Sequence, residues 1–326
     1  MRFSTIDTPE ERFKQITLNG GQVRIFASGR IEEGTSAEFE KFVEKRQITW
    51  AKVYFDSPGG SLWEGLSLGR AIRRLGFDTE VGNQEISYPE PPLAICASAA
   101  AYAFAGGLSR FYGEYGGRLG VHQFSKGGDN LADLGEAQVA SAQLISYLKE
   151  MGVDSAAFVR ATEANAAEMI WLSADETASF LLSNNGTHPT TAAIKIAAGD
   201  AYLRLEQVHH NVTARIILGY KDGAFFLFCG IVTTPERSEE LVGFSSRSYL
   251  EFDGKLPLGV QGIDGANVED HVIWISRDID ENVLEIFLST RSLGIWVDSD
   301  GALRWGATLD LDPVREDIGY YVNNCR

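Results

Sequence analysis

The feature that constrains the fold most is a strand, a Ser-Pro-Gly-Gly turn and a capped helix in direct succession. Residues 51–55 are predicted to form a buried strand, and residues 57–60 form the turn. Ser61 and Glu64 then have the spacing of a capping box, which begins a helix. Two glycines beside a helix N-terminus allow backbone N–H groups to point outward, where negative charge is favoured. The turn is therefore a candidate oxyanion site; the alternative is that glycine is required there for steric reasons alone.

The first half of the chain is predicted to be an α/β domain. Up to about residue 185, strand-like and helix-like segments alternate, which is typical of a largely parallel sheet covered by helices. A long helix is predicted over residues 133–151 and ends at Gly152. Two further capping boxes are predicted at Thr35 with Glu38 and at Ser173 with Glu176. We assign residues 1–190 to this domain.

The second half of the chain has the turn dipeptides that are typical of antiparallel β structure. All four Asp-Gly dipeptides lie beyond residue 200, and this dipeptide is typical of β-hairpin turns. They begin at Asp222, Asp253, Asp264 and Asp300. We therefore predict a smaller, mainly antiparallel β domain over residues 200–326, of unknown role. A C-terminal helix closes it, capped by Asp312 and begun by Pro313, with Val314, Ile318, Tyr321 and Cys325 on its inner face.

The charge balance argues against nucleic acid as a partner. The 326 residues include 29 Lys and Arg against 45 Asp and Glu, which gives a net charge of −16. No cluster of basic residues is present to release counterions from a phosphate backbone.

No integral membrane segment is predicted. The one long uncharged stretch, residues 91–109, is mostly Ala, Gly and Ser, which favours a buried helix of small residues over a membrane span. The first fifteen residues lack the apolar core of a secretory signal. The expected protein is soluble and cytoplasmic as the chain stands, or periplasmic if a signal peptide was removed.

Two side chains are candidates for nucleophilic catalysis. Ser98 lies among residues so small that a substrate backbone can approach its hydroxyl closely, as a nucleophile requires. The alternative is a helix-packing serine that bonds its own backbone. His122 ends an apolar, strand-like run and is a candidate general base, or else a hydrogen-bonded structural histidine. The chain order of diglycine, serine and histidine favours the catalytic interpretation of both.

Together these motifs resemble the Clp protease and crotonase superfamily, specifically Clp-like serine peptidases and related periplasmic-type proteins of unknown substrate. The resemblance covers roughly residues 20–183 and rests on Ser57 to Gly60, Ser98 with its small-residue helix, and His122-Gln123. It implies a Clp/crotonase-like ββα layered domain and a homo-oligomer. It also implies a peptide or other acyl substrate and no cofactor or metal.

The resemblance further implies a role for each residue. Ser98 is the expected nucleophile and His122 the expected general base, and the backbone amides of Gly59, Gly60 and Ala99 are the expected oxyanion donors. Such roles are physically coherent, because a serine hydroxyl needs a base to remove its proton and the developing anion needs preorganised donors.

The third catalytic group of the family is missing from its expected place. Counting back from Leu172-Ser173-Ala174 puts Met169 where Clp proteases carry an aspartate, and methionine cannot orient an imidazole. Glu168 is the nearest substitute in sequence. Asp129, Asp133 and Asp175 are weaker candidates, and each of these carboxylates has the alternative of being a solvated surface group.

Three functions therefore remain open at this stage. The first is a serine hydrolase with a Ser-His dyad or an atypical triad. The second is a catalytically degenerate Clp-like module used for binding or assembly. The third, a crotonase-type acyl-thioester enzyme, needs a coenzyme pocket for which no signature is present. Cys229 and Cys325 are expected either to form a disulfide or to be two buried thiols, and Cys96 is expected to be a small buried hydrophobe.

Overall fold

The computed structural model describes residues 1–6, 8–9, 21–84, 93–113, 117–123, 132–165, 167–210, 212–263, 266–299 and 304–324. The chain divides into two compact units, Met1–Gly186 and Thr187–Arg326. The first unit combines helices and sheets, and the second is mainly β structure. The division falls four residues before the predicted end of the first domain, at residue 190.

The first unit contains two sheets with helices between their strands. Its strands are β1 (Arg2–Ser4), β2 (Val23–Ser28), β3 (Ala51–Asp56), β4 (Asp78–Val81), β5 (Ala94–Ala97), β6 (Arg110–Phe111), β7 (Gly117–Val121) and β8 (Ile170–Leu172). Its helices are α1 (Thr35–Arg46), α2 (Leu62–Arg74), α3 (Ala99–Ala105), α4 (Ala132–Glu150), α5 (Ala156–Thr162) and α6 (Ala174–Ser179). One sheet has the order β1-β2-β3-β4-β6, and only its edge strand β1 is antiparallel. The other has the order β5-β7-β8, with β5 and β7 parallel.

Of the three predicted capping boxes, the one at Ser173 forms completely and the one at Ser61 forms in half. Ser61 caps α2 and its hydroxyl accepts a hydrogen bond from Glu64 N–H at 3.4 Å. The Glu64 carboxylate does not return to Ser61; it accepts from Ser36 N–H at 3.0 Å and so links α2 to the start of α1. The box at Ser173 and Glu176 forms with both of its hydrogen bonds at the start of α6.

The predicted capping box at Thr35 is wrong. Gly34, with φ of 85°, is the residue before α1, and Thr35 is already the first helical residue. The Thr35 hydroxyl instead accepts from Glu32 N–H in the preceding turn at 3.0 Å. A threonine can serve either bond, and the left-handed Gly34 decides between them.

The second unit packs two antiparallel sheets around one core. Its strands are β9 (Thr191–Ala197), β10 (Asp200–His209), β11 (Val212–Lys221), β12 (Ala224–Val232), β13 (Arg247–Phe252), β14 (Leu256–Gly262), β15 (Ala266–Glu269), β16 (Val272–Asp278), β17 (Ser292–Asp298) and β18 (Arg304–Asp310). Its helices are α7 (Pro235–Phe244), α8 (Glu281–Ser289) and α9 (Arg315–Asn324). The sheet orders are β15-β16-β12-β11-β10-β9 and β14-β13-β17-β18. Side chains from the strands and from all three helices form the shared core.

Two of the predicted hairpin turns are confirmed. Asp222 and Asp253 have φ of 52° and 51°, and each begins the turn of a hairpin, between β11 and β12 and between β13 and β14. Asp264 and Asp300 lie outside the described residues, as does Cys325.

The C-terminal helix differs from the prediction at its start. Asp312–Val314 is a single 3-10 turn, and α9 begins at Arg315. The Asp312 carboxylate does not cap the helix; it accepts hydrogen bonds from Arg291 and Arg315, which hold its pKa below the usual value. Val314, Ile318 and Tyr321 are buried, as predicted.

The predicted small-residue helix is α3, and it crosses α2 with the two backbones in contact. Every residue of α3 is buried. A Cβ on Gly65 would stand 2.5 Å from Ala99 O, and one on Gly106 would stand 2.2 Å from Gly69 O. Such distances leave no room for a side chain at these glycines. Because α3 begins directly after Ser98 and α2 directly after the Ser-Pro-Gly-Gly turn, this crossing holds the two motifs side by side.

Two arginines, the half-buried Arg73 and the buried Arg110, hydrogen-bond the far end of this crossing to neighbouring helix ends. Arg73 of α2 donates to the carbonyls of Ala105, Gly106, Gly107 and Met151, where α3 and α4 end. Arg110 donates to the carbonyls of Gly107, Met151, Leu181 and Leu182. Burial and the nearby Arg73 lower the pKa of Arg110 to about 10. The C-terminal partial charges of the helices thus stabilise two cations that form no ion pair among the described residues.

Among the residues that the structure describes, no helix combines the length and the apolar character needed to cross a membrane.

The helix crossing predicts that Gly65→Ala lowers stability, although alanine is the better helix former. At an open helical position the change gains about 1 kcal/mol, whereas overpacking costs about 1–3 kcal/mol. Because the new methyl group would meet Ala99 O, we expect a net loss, measured as a lower midpoint of urea unfolding by far-ultraviolet circular dichroism.

Gly135→Ala in α4 is the matched control, since nothing lies within 4 Å of its added Cβ. We expect a higher midpoint for that variant. A rise of similar size for Gly65→Ala would show that α2 and α3 do not cross at contact distance.

Candidate active site

The turn after β3 is bound directly to β5. Ser57 N–H donates to Ile95 O, and Ala97 N–H donates to Ser57 O at 3.0 Å. Gly59 and Gly60 have φ of 90° and 147°, values that residues with a side chain rarely adopt. The glycines are therefore required by the backbone, and the strand that leads to Ser98 lies alongside the turn.

Ser98 occupies a strained bend between β5 and α3. Its φ and ψ are 56° and −125°, and its N–H donates to Gly120 O at 2.9 Å. A Cβ on Gly59 would stand 2.7 Å from Ser98 Cβ, so the diglycine and the serine are in contact. The side chain is half-buried, and its hydroxyl forms no hydrogen bond with any described residue. The structure therefore does not show the alternative, a helix-packing serine whose hydroxyl bonds its own backbone.

Two backbone N–H groups beside Ser98 are unpaired within the described part of the chain. These belong to Gly60 and to Ala99, the first residue of α3. Ala99 N lies 2.9 Å from the point where a Cβ on Gly59 would stand. The Gly59 N–H, a predicted donor, is engaged instead with Ser57 Oγ at 3.1 Å. The N–H groups that remain free to donate to an anion are therefore those of Gly60 and Ala99. Gly59 has no free N–H, but its lack of a side chain leaves the space that Ser98 occupies.

His122 follows β7, which runs parallel to β5. The ladder pairs Ala97 with Gly120, so the serine and the histidine leave neighbouring strands at the same end of the sheet. The imidazole is half-buried, and its Nδ1 is enclosed without a hydrogen-bond partner. No hydrogen bond joins it to Ser98 among the described contacts. The fold thus brings the two residues to one place, and the hydroxyl–imidazole bond is not formed in this structure.

Met169 stands where a third group would be expected. The antiparallel ladder ends with Val121 paired to Ile170, and His122 and Met169 are the next residue of each segment beyond it. A Cβ on Gly120 would stand 2.8 Å from both Cγ and Sδ of Met169, so its side chain packs against β7. A thioether sulfur is only a weak hydrogen-bond acceptor.

Of the carboxylates considered as substitutes, Glu168 and Asp175 have described side chains, and neither forms a hydrogen bond with His122. Glu168 is exposed, and its side chain forms no ion pair or hydrogen bond with another described residue. Asp175 is exposed in the first turn of α6. Asp129 lies outside the described residues, and so does the side chain of Asp133.

The two described cysteines, Cys96 and Cys229, are buried thiols of the hydrophobic cores. Cys96 is fully buried, and burial raises the pKa of its thiol, as expected for a small buried hydrophobe. Burial raises the pKa of Cys229 to about 12.

Sequence reasoning missed the role of Gly120. Its carbonyl accepts the Ser98 N–H, and its missing side chain leaves space for Met169 and Trp171. A glycine two positions before the histidine, inside an otherwise apolar strand, was the available signal, because a glycine within a strand often marks a close approach.

Comparison of the chain with protein-family models and with curated proteins finds no match.

The strained bend predicts an unusual order of stability at Ser98. Ser98→Gly should be more stable than Ser98→Ala by about 1 kcal/mol, because relief of a positive φ outweighs the entropy that glycine gains in the unfolded chain. Urea unfolding of the two variants measures the difference. Ser146, exposed within α4, is the control, where glycine should be the less stable variant by a similar amount. The same order at both positions would contradict the strain at Ser98.

Proposed function

We propose that the first unit is a serine hydrolase of the peptidase type, with Ser98 as nucleophile and His122 as general base. The observation that carries the proposal is the Ser98 bend, in which an unbonded hydroxyl on strained backbone lies against the diglycine turn, with the N–H groups of Gly60 and Ala99 unpaired beside it. Strain of this kind persists where a fold over-determines a functional position. A sharp strand-to-helix turn at a serine is also how hydrolases of other folds expose their nucleophile.

The chemistry is acyl transfer to the serine followed by hydrolysis. Because Nδ1 of His122 is enclosed, Nε2 is the nitrogen that takes the Ser98 proton as Oγ attacks the carbonyl carbon. The resulting oxyanion accepts from the N–H groups of Gly60 and Ala99. His122 returns the proton to the leaving group, and a water activated by the same imidazole then releases the acyl group. No cofactor takes part.

The finer fold assignment belongs to this proposal. A Clp/crotonase-like ββα arrangement accounts for a mainly parallel sheet, a second three-stranded sheet and a serine helix that crosses the helix after the Ser-Pro-Gly-Gly turn. That assignment carries with it a peptide or other acyl substrate and assembly into a homo-oligomer.

A second function is favoured by one observation, the unpartnered Nδ1 of His122. A base that transfers protons becomes an imidazolium, and an N–H without an acceptor in a buried position destabilises that cation. With Met169 opposite, the alternative is a catalytically degenerate domain that binds a peptide without cleaving it.

The hydrolase proposal predicts covalent labelling of Ser98 by a fluorophosphonate probe. The labelled residue is identified by mass spectrometry of the digested protein. His122→Ala should slow labelling by about 10²-fold or more, because general base catalysis contributes about 10² to 10⁴.

Ser98→Ala should abolish labelling, and Ser146→Ala should leave it unchanged. A folded wild-type protein that remains unlabelled while a known serine hydrolase reacts would favour the binding module.

The position of Met169 predicts that Met169→Asp increases activity. A carboxylate opposite His122 would accept from Nδ1 and stabilise the imidazolium. Loss of that group lowers turnover by about 10⁴ in a triad enzyme, so we expect the labelling rate to rise by about tenfold or more.

Met169→Leu keeps an apolar side chain and should leave the rate unchanged, as should Glu168→Gln. A strong loss in Glu168→Gln would instead identify Glu168 as the third group. An unchanged rate in a folded Met169→Asp variant would mean that position 169 does not face Nδ1.

A further inference from the structure

Arg118 lies on β7, the strand that ends one residue before His122, and its side chain is exposed. Its guanidinium stacks on the indole of Trp171 with its central carbon 3.9 Å from the ring centroid. Trp171 pairs with Gly120 on the neighbouring strand, so the stacked pair stands on the face of β7 that Gly120 opens. The tryptophan fixes the plane and the position of the cation.

Apart from this stacking, Arg118 has no ionic or hydrogen-bond partner within the described residues. Other arginines of this unit have polar partners: Arg70 pairs with Glu150 and Arg160 with Glu176, and Arg73 and Arg110 donate to backbone carbonyls. A preorientated guanidinium offers a planar set of donors that matches a carboxylate.

The spacing connects Arg118 to the reaction centre. Side chains alternate along a strand, so positions 118 and 120 share one face, and continuing the alternation adds 122. Four residues of strand span about 13 Å, the length of about four residues of extended peptide. Ile95, which pairs with Arg118 and is 38% exposed, and Met169 give the intervening surface an apolar character.

We propose that Arg118 is a specificity-determining residue, which binds a carboxylate of the peptide substrate about four residues from the reacting carbonyl. The inference rests on the proposed function for the location of that carbonyl. The carboxylate belongs either to an acidic side chain or to the C-terminus of the peptide, and the guanidinium binds both in the same way.

The test uses fluorogenic peptides with one fixed reacting carbonyl. A single Glu is placed two to five residues away on either side, and each peptide has a Gln counterpart. A second series of the same lengths ends in a free acid or in an amide, which separates the two sources of the carboxylate. We expect one position, about four residues away, to favour the acid by about three- to tenfold in kcat/KM.

A binding measurement keeps this inference separate from catalysis. The same peptides, labelled with a fluorophore, are titrated into the full chain carrying Ser98→Ala, and the Kd is read from fluorescence anisotropy. The acid should bind about three- to tenfold more tightly than the amide, and the difference should shrink as ionic strength rises. This result supports the role of Arg118 even if Ser98 proves unreactive toward the probe.

Arg118→Gln should remove the preference in both measurements, and Arg118→Lys should restore part of it. Arg46→Gln is the matched control: Arg46 is also an exposed arginine stacked on an aromatic ring, with its guanidinium carbon 4.1 Å from the centroid of Phe42, and its loss should leave the preference intact. Equal affinity for acid and amide peptides would overturn the proposal, even with Ser98 labelled. So would a preference that survives Arg118→Gln or is lost equally in Arg46→Gln.

Discussion

The contact between the backbones of α2 and α3 is the constraint on which the candidate site depends. Ser98 and the Ser-Pro-Gly-Gly turn are about forty residues apart in sequence, and each stands at the start of one of these helices. With side chains at Gly65, Gly69 and Gly106, the helices would have to move apart. Gly59 and Ser98 are in contact only because the two helices lie this close together. The glycines of the helices therefore position Ser98 as directly as the glycines of the turn do.

The same contact explains how the protein maintains a strained serine. A residue at φ 56° costs of the order of 1–3 kcal/mol. The bend is fixed on one side by the Ser98 N–H bond to Gly120 O and on the other by Gly59, while the α3 helix that follows is fully buried and tied down by Arg73. Relaxing the bend would break the pairing of β5 with β7 or separate the two helices. The strain is therefore stored by packing that extends well beyond the site.

Local patterns predicted much of this architecture. Hydrophobic spacing and caps placed the helix after Ser61 and the helix after Ser173 correctly, because the signals lie within a few residues of each other. The error at Thr35 arose because two hydrogen bonds of similar energy compete for one hydroxyl. The engagement of Gly59 N–H by Ser57 and the position of Glu168 away from the imidazole depend on tertiary placement, for which single-sequence patterns contain no signal. The sequence did indicate the absence of a carboxylate at position 169, since it follows from counting along one segment.

The unpartnered Nδ1 of His122 determines which tautomer of the imidazole the site favours. A neutral imidazole can carry its proton on Nε2 and leave Nδ1 as an unprotonated acceptor, which costs less in a buried place than an unpaired N–H. In that tautomer Nε2 cannot accept the serine proton, although its N–H can still donate to a hydroxyl oxygen. In the proposed hydrolase, transfer of the serine proton to Nε2 therefore requires the other tautomer, whose buried Nδ1–H has no hydrogen-bond acceptor. The Gly60 and Ala99 N–H groups and the strained Ser98 backbone do not depend on this cost, so in the proposed hydrolase proton transfer at His122, and not the oxyanion donors, would limit the rate.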